Sequence, residues 1–354
     1  MNNKWSYRWR RFSIRMGSWE YWPMWAAYLP ASLYYCWLAM KARSFFFFSA
    51  TNPSIENGGM FFESKADVYA LIPPNLYPKT LHFQAGVSTA EMDRMMAEIG
   101  LDYPLVAKPD RGERGWMVKV IRNQDERNAY AHKLDRPFLL QAFVELPVEL
   151  SIFYIRHPLE QKGRITSVTG KKLLGIKGDG ISSIKELVLK DDRAFLQYDF
   201  IGRQSDINME AIPAMNEELV LVRIGNHARG TTFLDRTALV DASLEDRIDQ
   251  ISKQIPGFHY GRFDILCRSV EDLKAGKHFT ILELNGAGAE PAHIYQPGYP
   301  YFMAQLEIMR HFRDMYHIAM YHHRNGIPFM RWKQYRQKKK EEKAFKFGRN
   351  TIDL

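Results

Sequence analysis

RFDILCRSVEDLKAGKHFTILELN, Arg262–Asn285, is the stretch whose reading decides the fold. Near its two ends Asp264 and Glu283 stand among apolar, β-prone neighbours: Phe263, Ile265 and Leu266 beside the first, Ile281, Leu282 and Leu284 beside the second. This reads as two neighbouring strands, each carrying a carboxylate into a partly buried position. Burying a carboxylate is costly unless it is paired or metal-bound. A hard divalent cation meets that need. Mg²⁺ takes a few oxygen ligands and keeps the rest of its shell for water and phosphate oxygens, which suits Asp264, Glu283 and Asn285 converging from adjacent strands. Arg262, two residues before Asp264, projects to the same side of its strand, adding a guanidinium for phosphate to the same pocket.

Upstream, Lys108 ends the apolar strand PLVAKP and is followed by DRGERGWMVKV, in which Gly112 and Gly115 precede another strand. Two glycines let backbone N–H groups approach phosphate oxygens, and a strand-end lysine adds a point charge. By itself this segment is a weak signal, because a β-hairpin with a glycine turn is far commoner than a phosphate loop. It is not a Walker A loop, since no GK[ST] follows, and no spaced GxGxxG opens a helix. Around it the pattern predicts strands over Tyr103–Lys108, Trp116–Ile121, Phe138–Val144 and Val148–Arg156, and helices over Ser64–Leu71, Ser88–Ile99 and about Ser183–Lys190. The expected class is α+β, with antiparallel strand runs and helices between them.

Taken together, Lys108 with its loop, LLQAFVELPVEL (Leu139–Leu150) and RFD…ELN occur in the order and approximate spacing of the ATP-grasp superfamily. The chain resembles ATP-grasp carboxylate–amine ligases, and is locally similar to D-alanine:D-alanine ligase, over roughly Glu63–His293. The resemblance implies two α+β subdomains clasping ATP. It assigns Lys65 and Lys108 to the nucleotide phosphates, with the Gly112–Gly115 loop as a lid. Gln141, Phe143 and Val144 become the hinge whose backbone reads the adenine edge, and Glu149 the ribose contact. Asp264, Glu283 and Asn285 become ligands to two Mg²⁺ ions, with Mn²⁺ an alternative, and Arg262 stabilises the phosphoryl group in transfer. GDGISSIKELV, Gly178–Val188, is similar to a segment of several amino-acid ligases of the superfamily; as physics it is a tight turn and a capped helix. In GNHARGTTFLD, Gly225–Asp235, His227 and Arg229 are second-tier candidates for holding an anionic substrate or acyl phosphate, a structural histidine being the competing reading.

The chain departs from the family in two places. A sizeable α/β domain usually precedes the first lysine, whereas here an aromatic segment and a loop fill that space. After LELN the chain continues GAGAEPAHIY, Gly286–Tyr295, in place of the Ser/Pro/Gly turn of D-alanine ligases, so D-alanine is not the expected substrate. Gly286, Ala287, Gly288 and Ala289 are expected to leave backbone open to a ligand, with Glu290 and His293 as amine contacts.

Three segments are expected: 1–60, aromatic and basic; 61–310, the ATP-grasp domain; and 311–354, a basic helix or tail. The break near 60 rests on the Asn-Pro and Gly-Gly pairs of SATNPSIENGGM, residues 49–60. Of 354 residues, 49 are Lys or Arg and 40 Asp or Glu, a net charge of +9 gathered at both ends. With no nucleic-acid fold signature alongside, this favours an anionic lipid surface over nucleic acid. Cys36 and Cys267 show no metal-ligand spacing and no disulfide framework, pointing to the cytoplasm. YWPMWAAYLPASLYYCWLAM, Tyr21–Met40, has bilayer-spanning length without a charge, but Pro23, Pro30 and its aromatics favour a peripheral segment at the cytoplasmic face, aided by Phe45–Phe48. An ordinary aromatic core layer is the competing reading. The expected activity is ATP- and Mg²⁺-dependent joining of a small-molecule carboxylate to an amine through an acyl phosphate. A small-molecule kinase and a non-catalytic membrane-associated ATP-binding module stand as alternatives.

Overall fold

The computed structural model describes residues 4–112, 115–203, 207–222, 225 and 229–349. The strands are β1 (Thr80–Phe83), β2 (Leu105–Pro109), β3 (Lys119–Ile121), β4 (Phe138–Ala142), β5 (Val148–Ile155), β6 (Arg164–Lys172), β7 (Leu174–Lys177), β8 (Glu218–Val222), β9 (Thr232–Asp235), β10 (Tyr260–Cys267) and β11 (Phe279–Asn285). The chain forms two compact units: a smaller one of Met1–Leu33, Thr169–Arg236 and Ala292–Glu307, and a larger one of Tyr34–Val168, Thr237–Pro291 and Ile308–Leu354. The class is α+β with antiparallel sheets, as expected.

The larger unit holds two sheets. In the first, order β1-β4-β2-β3, every neighbour is antiparallel. Its apolar side packs on Met92 and Met96 of helix Thr89–Ile99. That helix begins where the sequence places it: Ser88 accepts the Glu91 N–H as N-cap, and Gly100 closes it in the left-handed region. The second sheet runs β11-β10-β5-β6. Alternation splits its residues cleanly: Leu150, Ile152 and Tyr154 of β5 and Phe263, Ile265 and Cys267 of β10 join the core with Leu244, Ile248 and Ile251, the inward stripe of helix Ala242–Lys253. The opposite face carries Ser151, Arg262 and Asp264.

Several expectations are adjusted. β3 starts at Lys119 and β4 stops at Ala142, because Phe143 turns away to donate its N–H to Pro104 O at 3.2 Å. Residues 49–60, expected as a loop, are a connection of turns that is largely buried. The 3₁₀ turn Phe47–Ala50 ends in this segment and the turn Glu56–Gly59 lies within it, and Asn52, fully buried, accepts the N–H groups of His259 (2.9 Å) and Tyr260 (3.0 Å) while donating to Gly58 O (3.0 Å) and Tyr260 O (2.8 Å). Phe46, Phe47 and Phe48 lie in a second core with Leu38, Phe153, Tyr260 and Met315, leaving only Phe45 of the four phenylalanines exposed. They are therefore not available to a membrane. The charge-free stretch breaks into Trp19–Tyr21, Met24–Ala27 and Leu29–Ala42, and among the described residues no helix is long and apolar enough to cross a bilayer.

The smaller unit has the antiparallel pair β7–β8, and the end of β6 pairs with β9 from Thr169↔Asp235 to Lys172↔Thr232. Leu174, Ile176, Val188, Ala194, Ile201 and Leu221 form its core. Helix Ile184–Lys190 carries the full capping box between Ser183 and Glu186.

Candidate active site

The larger unit brings most of the expected residues into one neighbourhood. Antiparallel register sets Asp264 opposite Glu283 and Arg262 opposite Asn285, while β5 puts Ser151 opposite Asp264 and Glu149 opposite Leu266. Paired positions share a face, so Glu149, Ser151, Arg262, Asp264, Glu283 and Asn285 belong to one side of this sheet. Arg262 grips Asp264 with two parallel bonds, Nε to Oδ1 at 3.0 Å and Nη2 to Oδ2 at 3.1 Å, and donates a third to Glu290 O at 3.3 Å. The Ser151 hydroxyl donates to Asp264 Oδ1, and Asn285 Nδ2 reaches Oδ2 at 3.4 Å. A fork-to-carboxylate pair of this kind is stronger than a point-charge contact. Burial opposes the Arg262 charge, but Asp264, with Glu283 and Glu290 behind it, outweighs that and holds its pKa up.

Two lysines approach from the other sheet and from helix Lys65–Leu71. Lys108, on β2, donates to the Tyr69 hydroxyl at 2.8 Å and to Gln141 Oε1 at 2.9 Å, and lies 5.0 Å from the Tyr69 ring centroid. Gln141 is oriented for this by donating its own amide to Thr80 Oγ1 at 2.8 Å, and Tyr69 by donating to Leu282 O. Burial pulls the Lys108 ammonium down to about 8 against the raising influence of Glu283. Lys65 donates to Gly112 O at 2.7 Å and Asp110 O at 3.5 Å. Its pKa is likewise lowered by burial, with Glu283 opposing and Lys108 reinforcing the fall. Asp110 is spent elsewhere: its Oδ1 accepts from Ser64 Oγ and Ala66 N, both at 2.9 Å, pinning the start of the Lys65 helix to the end of β2.

Glu283 is the focus of this field. It is exposed, yet it acts electrostatically on Lys65, Lys108 and Arg262 together. Three cations held by the fold thus feel one accessible carboxylate, an arrangement suited to a polyanion accompanied by a divalent ion. Asp264, Glu283 and Asn285 offer hard oxygen donors on one face, with Glu283 open and Asp264 shared with Arg262. That donor set fits Mg²⁺, although among the described residues no group of three or more His, Cys, Asp or Glu is placed to hold a metal.

The glycine segment lies at the same edge. Gly112 has φ +125°, a value that favours glycine, and a Cβ there would meet the Phe345 ring at 3.3 Å. Glu113 and Arg114, the tip of the expected lid, lie outside the described residues, as does His227. Helix Trp332–Arg349 backs this segment: Phe345 packs edge-on against Trp116 (5.0 Å between centroids) and under the Arg136 guanidinium (4.5 Å).

Gln141 sits inside β4 with its side chain committed to Lys108; Phe143 and Val144 follow the strand end. Arg229 belongs to the smaller unit, exposed, its guanidinium 4.2 Å from the Phe200 centroid. His293 is buried in that unit, against Tyr299. The run Gly286–Ala289 is not open backbone. Ala287 and Gly288 donate to Gly58 O and Gly59 O at 2.9 and 2.8 Å, Ala289 to Gly286 O at 2.9 Å, and a Cβ on Gly59 would strike Gly286 Cα at 2.7 Å. The small residues here serve a close approach of two chain segments. Tyr69 and Ser151 were missed from sequence. Each had a signal: Tyr69 is one helical turn past Lys65, and Ser151 is the strand neighbour of Glu149 on the same face.

No protein-family model and no curated protein matches the chain. Among solved structures it is similar to a bifunctional glutathione synthetase from Pasteurella multocida (15% identity, 69% of this chain and 35% of that one, TM-score 0.40). It is also similar to the D-Ala:D-Ser ligase VanG from Enterococcus faecalis (14%, 74% and 62%, TM-score 0.41) and to the ATP-grasp ligase PsnB complexed with minimal precursor (12%, 70% and 60%, TM-score 0.37). The chain spans about a third of the first relative and under two thirds of the other two. Of these three, PsnB is described as an ATP-grasp ligase, the family that the sequence resembles.

Proposed function

We propose that this chain is an ATP- and Mg²⁺-dependent ligase that activates a small-molecule carboxylate as an acyl phosphate and joins it to an amine. The observation that carries the reading is the convergence of Lys65, Lys108 and Arg262 on the exposed Glu283. In the first step a carboxylate oxygen of the substrate attacks the γ-phosphorus of ATP and ADP leaves. In the second, the amine attacks the acyl carbon, phosphate leaves and the amine gives up a proton. Such transfers depend mainly on positioning and charge neutralisation. Lys65 and Lys108 neutralise phosphate oxygens, and their hydrogen bonds to Gly112 O, Tyr69 and Gln141 fix where those charges sit. Asp264, Glu283 and Asn285 are the residues that would hold Mg²⁺, which when bound supplies Lewis-acid neutralisation of phosphate oxygens. Arg262 stays oriented by Asp264 while its remaining donors face the transferring group. Glu149, on the same strand face as Ser151, takes the ribose hydroxyls, and Phe143 and Val144 the adenine edge.

The test is ADP release from Mg-ATP with pools of amino acids, peptides and cell-wall precursors in the presence of hydroxylamine. A hydroxamate tied to one pool supports carboxylate activation. ADP release with a phosphorylated product and no hydroxamate moves the reading to a small-molecule kinase. ATP binding without ADP release across every pool counts against both enzyme readings in favour of a binding module.

A further inference from the structure

Helix Lys4–Gly17, in the smaller unit, presents an apolar stripe outward. Its orientation is fixed from the inner side. The Tyr7 ring meets Phe195 at 4.7 Å, the Arg10 guanidinium covers the same ring at 4.3 Å, Arg10 pairs with Asp192 at 2.8 Å and Arg11 with Asp199 at 3.0 Å. At 100° per residue the side opposite these contacts holds Trp5, Trp9, Phe12 and Met16, at spacings of four, three and four. All four are exposed, from 54% for Phe12 and Met16 to 79% for Trp5. The stripe continues past the helix end, because Trp22 donates its indole N–H to Met16 O and packs on Tyr301, whose sequence neighbour Phe302 is 78% exposed.

Charge indicates what covers this face. Arg8 and Arg15 flank one side of the stripe, both exposed and neither with an ion-pair partner among the described residues. The acidic groups of this unit nearest the helix are already neutralised: Asp192 by Arg10, Asp199 by Arg11, and Glu20 by Arg193 at 2.8 Å. The field along the stripe is therefore positive, on a chain of net charge +9. Tryptophan and arginine beside a narrow apolar face are the composition of helices that lie in the headgroup region of a bilayer. With fourteen residues the helix is about 21 Å long, too short to cross.

We propose that helix Lys4–Gly17 docks the protein on an anionic lipid surface, lying in the plane of the interface with Trp5, Trp9, Phe12 and Met16 inserted and Arg8 and Arg15 against the lipid phosphates. This does not depend on the ligase reading, and it places the lipid contact on a different segment from Tyr21–Met40.

The experiment is flotation of the full chain with mixed phosphatidylcholine–phosphatidylglycerol vesicles, and with phosphatidylcholine alone, at low and high salt. The unsubstituted chain is expected to float with the anionic vesicles at low salt, to release at high salt, and to show blue-shifted tryptophan emission when bound. The double variant Arg8→Gln/Arg15→Gln is expected to bind about thirtyfold more weakly, and Trp5→Ser/Trp9→Ser more than about tenfold more weakly. Because all four side chains are exposed, both variants are expected to keep the circular dichroism and ATP binding of the parent. Failure of the unsubstituted chain to float, or equal flotation by folded variants, overturns the proposal. So does a loss of self-association in the variants with vesicle binding unchanged, which would assign the stripe to a second copy of the chain.

Discussion

The β10–β11 ladder and the segment after β2 both contribute to the candidate site, but they are held in opposite ways. In the ladder, side-chain positions follow from alternation and register: once Asp264 faces Glu283, Arg262 and Asn285 have no other side to occupy. After β2, Gly112 and the nearby Trp116 owe their position to contacts far along the chain, Gly112 with Lys65 and Phe345, Trp116 with Phe345 and Arg136. A ladder tolerates the loss of one side chain without moving the rest, so its substitutions read out chemistry. A segment propped by separate contacts gives way when a prop is removed.

The sharpest break is expected in the ladder. Glu283→Gln should keep the fold, since the side chain is exposed, and lose ATP turnover by about a thousandfold or more; an active, folded variant would refute the metal assignment. Next comes Lys108. Replacement by Met should cost about a hundredfold in ATP affinity, measured by titration calorimetry. Its ammonium is held near 8, so the affinity of the unsubstituted chain should fall as pH rises from 7 to 9, as the charge that meets phosphate is lost. A flat profile would show that Lys108 does not touch the nucleotide.

A smaller effect tests how the ladder is anchored. His259, at the entry to β10, is lowered to about 4, chiefly by burial and then by His322, Arg156 and His157, partly offset by its bond to Arg156 O. The folded protein therefore binds this proton less readily than the unfolded chain, whose histidine titrates near 6.5. Stability is full above about pH 6.5 and is lost as pH falls towards 4. Between pH 7 and 5 the loss should be about 2 kcal/mol by denaturant titration, and His259→Gln should flatten that slope. The smallest effect is expected at Phe345→Ala. Removing the prop under Gly112 and Trp116 should raise the KM for ATP several-fold with little change in kcat, about 1 kcal/mol of positioning. An equal fall in kcat would place Phe345 in the chemical step.

This contrast also accounts for what the sequence could disclose. Alternation around Asp264 and Glu283, the cap at Ser88 and the capping box at Ser183 are local patterns with a physical cause within a few residues. The strands, their antiparallel pairing and the polar ladder were legible for that reason. Residues 49–60 were not, because Asn-Pro and Gly-Gly report only a change of chain direction. Nothing local says that Asn52 will saturate its carboxamide on His259, Tyr260 and Gly58, or that Gly59 must let Gly286 come close. The same holds for Phe46–Phe48, whose burial depends on Met315 and Phe153. Tyr69 and Ser151 fall between these cases, legible in position but not in partner.

The pairing of Arg262 with Asp264 has a consequence for the unliganded protein. A buried carboxylate placed to receive a cation usually leaves a repulsive hole when that cation is gone. Here Asp264 already has a counter-ion, a guanidinium two residues away on the same strand, so that under the proposed function Mg²⁺ binding would be an exchange of partners for Asp264. Without ATP, where that exchange leaves little net affinity for the ion, chelator treatment should leave thermal unfolding unchanged, and a fall of several degrees would show that the internal counter-ion is insufficient.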